Sequence, residues 1–186
     1  MYKQEKCDPA LLGKTRTWLT VSAGAAALAS LALPWYPLSC WLFAAALALL
    51  GVGAFLARRQ DPDLNRGWKF AIAAILAHGA SPAVVAWQDG ALRLLAVLVD
   101  VVLLYLSVTL AVTGLVRGGG AGGQPPRPVV IFEYTAGAYA LLQLAADAFP
   151  QFATPATVIS MCALCFGFVQ MVRDLIKEKP AGKTAG

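Results

Sequence analysis

The sequence predicts an all-α, polytopic membrane protein of six transmembrane helices arranged as three helical hairpins, and three observations carry that reading. Of 186 residues, 59% are hydrophobic and only 13% charged, with a mean hydropathy of +0.65. A soluble domain holds about 25% charged residues to cover its surface. Six stretches approach the ~20 apolar residues that a helix needs to cross a hydrocarbon core, where no backbone polar group can be left unpaired. Most of the charges and most of the prolines fall between those stretches.

The first stretch, 18–33, is short, and extends to Thr15 and Thr17 on one side and to the interfacial aromatics Trp35 and Tyr36 on the other. Pro34 and Pro37 turn it into the second, 38–57. A charged connection from Arg58 to Arg66 leads to the third, 68–87, which Pro82, Gln88, Asp89 and Gly90 turn into the fourth, 91–116. That fourth stretch is long enough to tilt or protrude. A glycine run ending in Gln124-Pro125-Pro126 makes 117–128 a flexible linker to the fifth, 129–149. Pro150 and Pro155 turn the fifth into the sixth, 154–173. Residues 1–16 form an N-terminal segment, 17–176 the membrane domain and 177–186 a tail.

Charge sets the orientation. Lys3, Lys6, Lys14 and Arg16, then Arg58, Arg59, Arg66 and Lys69, then Arg117 and Arg127, and finally Arg173, Lys177, Lys179 and Lys183 fall on one face. Only Arg93 falls on the other. The positive-inside rule then places both termini in the cytoplasm of a cell with its plasma (inner) membrane as host. The net charge of +5 is spread along that face and mixed with Asp61, Asp63, Asp174 and Glu178, so nucleic acid is not expected as a partner. Ala27-Leu28-Ala29 after a basic start fits a signal peptide, but alanine is too frequent here for that match to weigh much.

Four cysteines raise redox or metal chemistry. Cys7 and Cys40 are expected a membrane apart. Cys162 and Cys165 form a C-x-x-C, yet Cys162 lies seven residues past Pro155, about 10 Å deep by helical rise. Two small polarizable residues in a helix wall is the favoured reading, with a membrane thiol oxidoreductase as the lower alternative.

Polar residues inside apolar helices are costly and normally face a partner or a wet cavity. In the fourth helix Arg93, Asp100, Ser107 and Gly114 recur every seven residues and form one stripe. In the third, Ala71, Ala74, His78 and Ser81 share a face. His78 is eleven residues before Asp89 and Asp100 eleven after it, so an antiparallel hairpin brings them to equal depth. Side by side they can share a proton, with Arg93 as a second compensating charge, or they can simply lock the hairpin register. Glu133, Gly137, Ala140, Gln143 and Asp147 mark a face of the fifth helix, and Ser160, Ala163, Gly167, Gln170 and Asp174 a face of the sixth. Glu133, Asp147 and Asp174 are close enough to helix ends to snorkel. Gln143, Ser160 and Gln170 join His78, Asp100, Arg93 and Ser107 as candidates for binding or proton relay. Ala23 with Ala27 and Ala44 with Ala48 are small pairs suited to close packing in the first hairpin.

No H-E-x-x-H or G-x-S-x-G occurs, and the glycine run lacks the Lys-Ser/Thr of a P-loop. No enzymatic activity, no cofactor and no metal are expected. Three hairpins with proline-marked bends, carried by Gly24 with Pro34, by Pro82, by Gly137 with Pro150, and by Gly51, Gly53 and Gly167, resemble the HdeD family of small bacterial membrane proteins. That resemblance implies a stress-related membrane role without catalytic residues. Length and helix count are also similar to those of the six-helix substrate-binding subunits of vitamin importers. The expected function is proton or small-solute handling through a polar interior of the third to sixth helices. The alternative is a scaffold or accessory subunit. The expected partners are membrane lipid and a second copy or partner subunit.

Overall fold

The computed structural model describes residues 9–85, 90–118 and 127–177, and in them every long element is a helix. In order these are α1 (Pro9–Leu31), α2 (Tyr36–Leu56), α3 (Pro62–Val85), α4 (Gly90–Gly118), α5 (Arg127–Ala148) and α6 (Ala153–Lys177), with a single 3₁₀ turn over Pro150–Phe152. Pro37 sits in the first turn of α2, where its missing N–H costs nothing. The side chain of Asp61 caps α3 by accepting from the N–H of Asp63 at 2.7 Å, with Pro62 between them. Pro82 lies inside α3, which continues to Val85 within the expected stretch 68–87. The connections around Asp89 and the glycine run, together with Cys7, lie outside the described residues.

Four of these helices are long and apolar enough to cross a membrane: α2, α4, α5 and α6. This is the composition of a multi-pass membrane protein, but six spans are not met on length and apolarity alone. In α1 only fourteen residues follow the basic turn, Trp18 to Leu31, and many are Gly, Ser or Ala. In α3 the segment from Trp68 onward carries Lys69, His78, Gly79, Ser81 and Pro82.

Successive helices run antiparallel, and each pair is fixed by contacts at separate heights. The Ser39 hydroxyl of α2 donates to the Ala29 carbonyl of α1 at 2.8 Å. Far along the same pair, a Cβ placed on Gly53 would stand 3.3 Å from that of Trp18. Between α2 and α3, Tyr36 meets Ser81 at 3.2 Å, Gly51 faces Ala71, and Phe55 meets Trp68 edge-on. Between α4 and α5, Tyr105 donates to Glu133 at 3.1 Å. Between α5 and α6, Phe132 packs on Phe168 and the missing Cβ of Gly167 admits Thr135. Contacts between α1 and α6 close the circuit. α2 packs on α3 nearly as extensively as on α1, so the packing does not divide after each expected hairpin.

The antiparallel order brings the starts of α1, α3 and α5 and the ends of α2, α4 and α6 to one end of the bundle. Lys14, Arg16, Arg58, Arg59, Arg66, Lys69, Arg173 and Lys177 gather there, at the basic end. Arg93 stands in the first turn of α4 at the opposite, turn end. Large apolar side chains point outward from all six helices, including Val21 and Leu28 of α1 and Ile72 and Leu76 of α3.

Candidate functional site

The seam between α3 and α4 builds the site. Gly67 lets the α4 backbone approach so closely that a Cβ there would lie 2.9 Å from the Ala111 nitrogen. Gly114 does the same toward Leu64. Each pair, like His78 and Asp100, is equidistant in sequence from position 89. One register therefore governs the whole crossing, and it fixes the heights of the two ionisable groups.

At that height Nδ1 of His78 lies 3.0 Å from Oδ2 of Asp100. His78 is 0% exposed and Asp100 3%. The Tyr139 hydroxyl of α5, itself 1% exposed, donates to the same Oδ2 at 3.1 Å. Phe43 of α2 presents an edge-on contact to the imidazole at 5.2 Å between centroids, and Phe168 of α6 packs edge-on against Phe43. Three helices thus supply polar groups and two supply aromatic walls.

Two polar atoms of the pair, Nε2 of His78 and Oδ1 of Asp100, are buried and make no hydrogen bond. Buried polar groups are nearly always paired, because desolvation without a partner costs about 1–3 kcal/mol. With Nδ1 donating to the carboxylate, Nε2 is an acceptor in the neutral ring and a donor in the imidazolium. The arrangement can take up or release a proton. Among the described residues no group of three His, Cys, Asp or Glu side chains converges as a metal would require.

The other sequence candidates divide. Gln143, 5% exposed on α5, donates to the Ser160 hydroxyl of α6 at 3.0 Å, and Ser160 donates to the Thr157 carbonyl at 2.8 Å. These two form a second polar contact one turn beyond Tyr139. Ser107 is buried, but its hydroxyl donates within α4 to the Leu104 carbonyl at 2.9 Å and does not join the pair. Arg93 is half-buried, about 10 Å of helical rise from Asp100. Gln170 is half-buried nearer the basic end of α6.

The face expected on α5 is not the one that packs. Val129, Phe132, Ala136, Tyr139, Gln143 and Ala146 are buried, whereas Gly137 is exposed with nothing near it. Only Gln143 belongs to both sets, and the side chain of Asp147 lies outside the described residues. On α6, Ser160 and Gly167 are buried, while Ala163, Gln170 and Asp174 are half-buried. In α1 the packed face is Leu19, Ser22, Ala26 and Ala29, so Ala27 is exposed and Ala23 only half-buried. Gly24 likewise faces open space, whereas Gly51, Gly53 and Gly167 sit at helix contacts.

Tyr139 was not among the sequence candidates. Its signal was spacing: positions 132, 136, 139 and 143 share one helical stripe with Gln143. Cys40 and Cys165 are buried and Cys162 exposed, all as free thiols. Cys162 and Cys165 line an apolar groove of about 580 Å³ between α1 and α6, with Ala27, Ile159 and Phe166. No family model, curated protein or solved structure matches the chain.

Proposed function

We propose that this chain is a six-span protein of the plasma (inner) membrane, with both termini cytoplasmic, that handles protons or a small protonatable solute at the His78–Asp100–Tyr139 centre. The span count rests on packing rather than on hydropathy. α1 lies antiparallel along α2 from Ala29 to Trp18, and α3 lies along α4 from His78 to Leu64. If α2 and α4 cross the bilayer, their neighbours cross beside them, with Val21, Leu28, Ile72 and Leu76 toward lipid. The gathering of basic groups at one end supports a cytoplasmic assignment for that end. A role under stress, implied by the HdeD resemblance, belongs to the same proposal.

The single observation that carries the proton reading is the buried, unbonded pair of atoms on His78 and Asp100. A contact serving only to lock helix register gains nothing by leaving them unsatisfied. Histidine is also the side chain whose charge ordinarily changes between about pH 5 and 8. The chain has one histidine, so ¹⁵N-labelled histidine gives one imidazole signal to follow. In the purified, detergent-solubilised protein that signal is expected to change charge state with pH, and Asp100→Asn to displace the transition while leaving the fold intact. An imidazole that stays in one state throughout, with Asp100→Asn lowering stability alone, supports the scaffold reading.

A further inference from the structure

The centre divides the bundle interior into two unlike halves. Toward the basic end, every helix that faces the pair continues with apolar side chains. Leu47 and Leu50 follow Phe43 on α2, Leu104 and Val108 follow Asp100 on α4, and Met171 and Val172 follow Phe168 on α6. Ala74 and Ala71 close the α3 side and Phe132 the α5 side. Ser107, the fully buried polar exception, bonds within its own helix, and the half-buried Thr109, Glu133 and Thr135 lie on α4 and α5 in the same half.

Toward the turn end the same helices change character. Tyr36 of α2 meets Ser81 of α3, one turn beyond His78, at 3.2 Å. Pro82 has no N–H, so the His78 carbonyl lacks the donor that residue 82 would otherwise supply. Gln143 and Ser160 continue the polar side chains of α5 and α6. These groups extend from the pair toward the end where Tyr36 begins its helix.

From this asymmetry we propose that the His78–Asp100 pair is a one-sided site, reached from the turn end past Ser81 and Tyr36 and sealed from the basic end by an apolar plug. This deepens the proton reading above and rests on it. The consequence is mechanistic: this conformation is no open path through the bundle, and binding at the pair reports the medium on one side. Proton transfer over a few ångströms needs hydroxyls or water, and the polar half supplies hydroxyls at Ser81 and Tyr36. In the apolar half the hydroxyls of Ser107 and Thr135 bond within their own helices and that of Tyr105 is held by Glu133, which leaves Thr109, nine residues past Asp100 on α4. The titratable and charged groups around His78 are Asp100 from α4, Tyr139 from α5, and Tyr36 and Cys40 on α2, which lie within electrostatic range of Asp100. Arg93 stands further up α4. The near aromatic contact from α2 is the uncharged Phe43.

The test uses the full chain with labelled histidine in sealed vesicles, sorted by which end of the bundle faces the medium, as read from trypsin cleavage after Lys177. The imidazole signal is expected to follow the pH on the turn side and to ignore the pH on the basic side. A signal that follows the basic side, or both sides equally, overturns the one-sided site. A signal that follows neither overturns the proton reading itself, and the one-sided site with it. For the route, a pH jump followed by infrared spectroscopy of ¹³C-labelled histidine gives the rate of protonation. Tyr36→Phe combined with Ser81→Ala is expected to slow it at least ~10-fold, the loss typical of removing a positioned proton carrier being about 10²–10⁴-fold. An unchanged rate in a folded double variant overturns the route. Leu104→Ser is expected to make the signal newly sensitive to the basic side, and continued insensitivity counts against the plug.

Discussion

Gly67 and Ala111 meet where α3 crosses α4, with so little room that a Cβ on Gly67 would stand 2.9 Å from the Ala111 backbone nitrogen. The contact is between backbones and cannot be relieved by a rotamer change. Gly67→Ala is therefore expected to push the helices apart, at a cost of about 1–3 kcal/mol as for other overpacked sites. The centre depends on the same crossing, so the variant should also weaken the His78–Asp100 contact three turns away. Thermal unfolding in detergent measures the first effect and the labelled imidazole the second. Gly137→Ala, facing open space, is the control and should leave both unchanged.

Tyr139→Phe removes one hydroxyl from Asp100 and keeps the ring between Phe132 and Gln143 in place. Hydrogen bonds between membrane helices are worth about 0.6 kcal/mol on average and about 1.7 at most. A loss within that range is expected. A double-mutant cycle of Tyr139→Phe with Asp100→Ala should return a coupling of the same size, because each substitution removes the one shared bond. Additive losses would mean that the hydroxyl does not act through the carboxylate.

The His78–Asp100 contact was legible in the sequence because two constraints agreed. An ionisable side chain in an apolar helix needs a partner, and equal spacing from one turn places two such groups at one height. Gly67 with Ala111 and Gly114 with Leu64 obey that same spacing, but nothing polar marks them, so small size alone had to carry the signal. Tyr139 was hidden for a related reason. The polar positions 133, 143 and 147 mark another face of α5, and a lone tyrosine reads as an interfacial residue or as filler. There, side-chain volume chose the packed face: Phe132 and Tyr139 fill the interior, Glu133 is left half-buried against Tyr105 and Gly137 is turned away. α3 runs on past Pro82 to Val85, within the expected stretch 68–87, because packing holds the helix at the proline. Trp41 on Gly79 and Tyr36 on Ser81 provide that packing.

The α5–α6 contact turns on a single missing methyl group. A Cβ on Gly167 would collide with the Thr135 side chain, whose hydroxyl is already held to the Ile131 and Phe132 carbonyls. Gly167→Ala is expected to destabilise the protein by about 1–3 kcal/mol. Since Cβ as well as Oγ1 of Thr135 stands in the way, Thr135→Gly should recover most of that loss in the double variant, less the roughly 0.5–1 kcal/mol that a helical glycine costs. Failure of the rescue would place the strain elsewhere in the interface.

Cys162 and Cys165 separate the structural reading of the C-x-x-C from the redox one. They lie one turn apart on α6, Cys162 exposed and Cys165 buried, and both border the apolar groove against α1. A nitroxide attached at Cys162, with the other cysteines replaced by alanine or serine, should sit in hydrocarbon. It is then expected to be relaxed strongly by dissolved oxygen and weakly by a water-soluble nickel chelate, the pattern of a lipid-facing site. The same thiol in the intact membrane should not react with an impermeant maleimide from either side. Strong relaxation by the chelate, or rapid labelling, would mean that water reaches the groove, and with it the soluble thiols that an oxidoreductase has to meet.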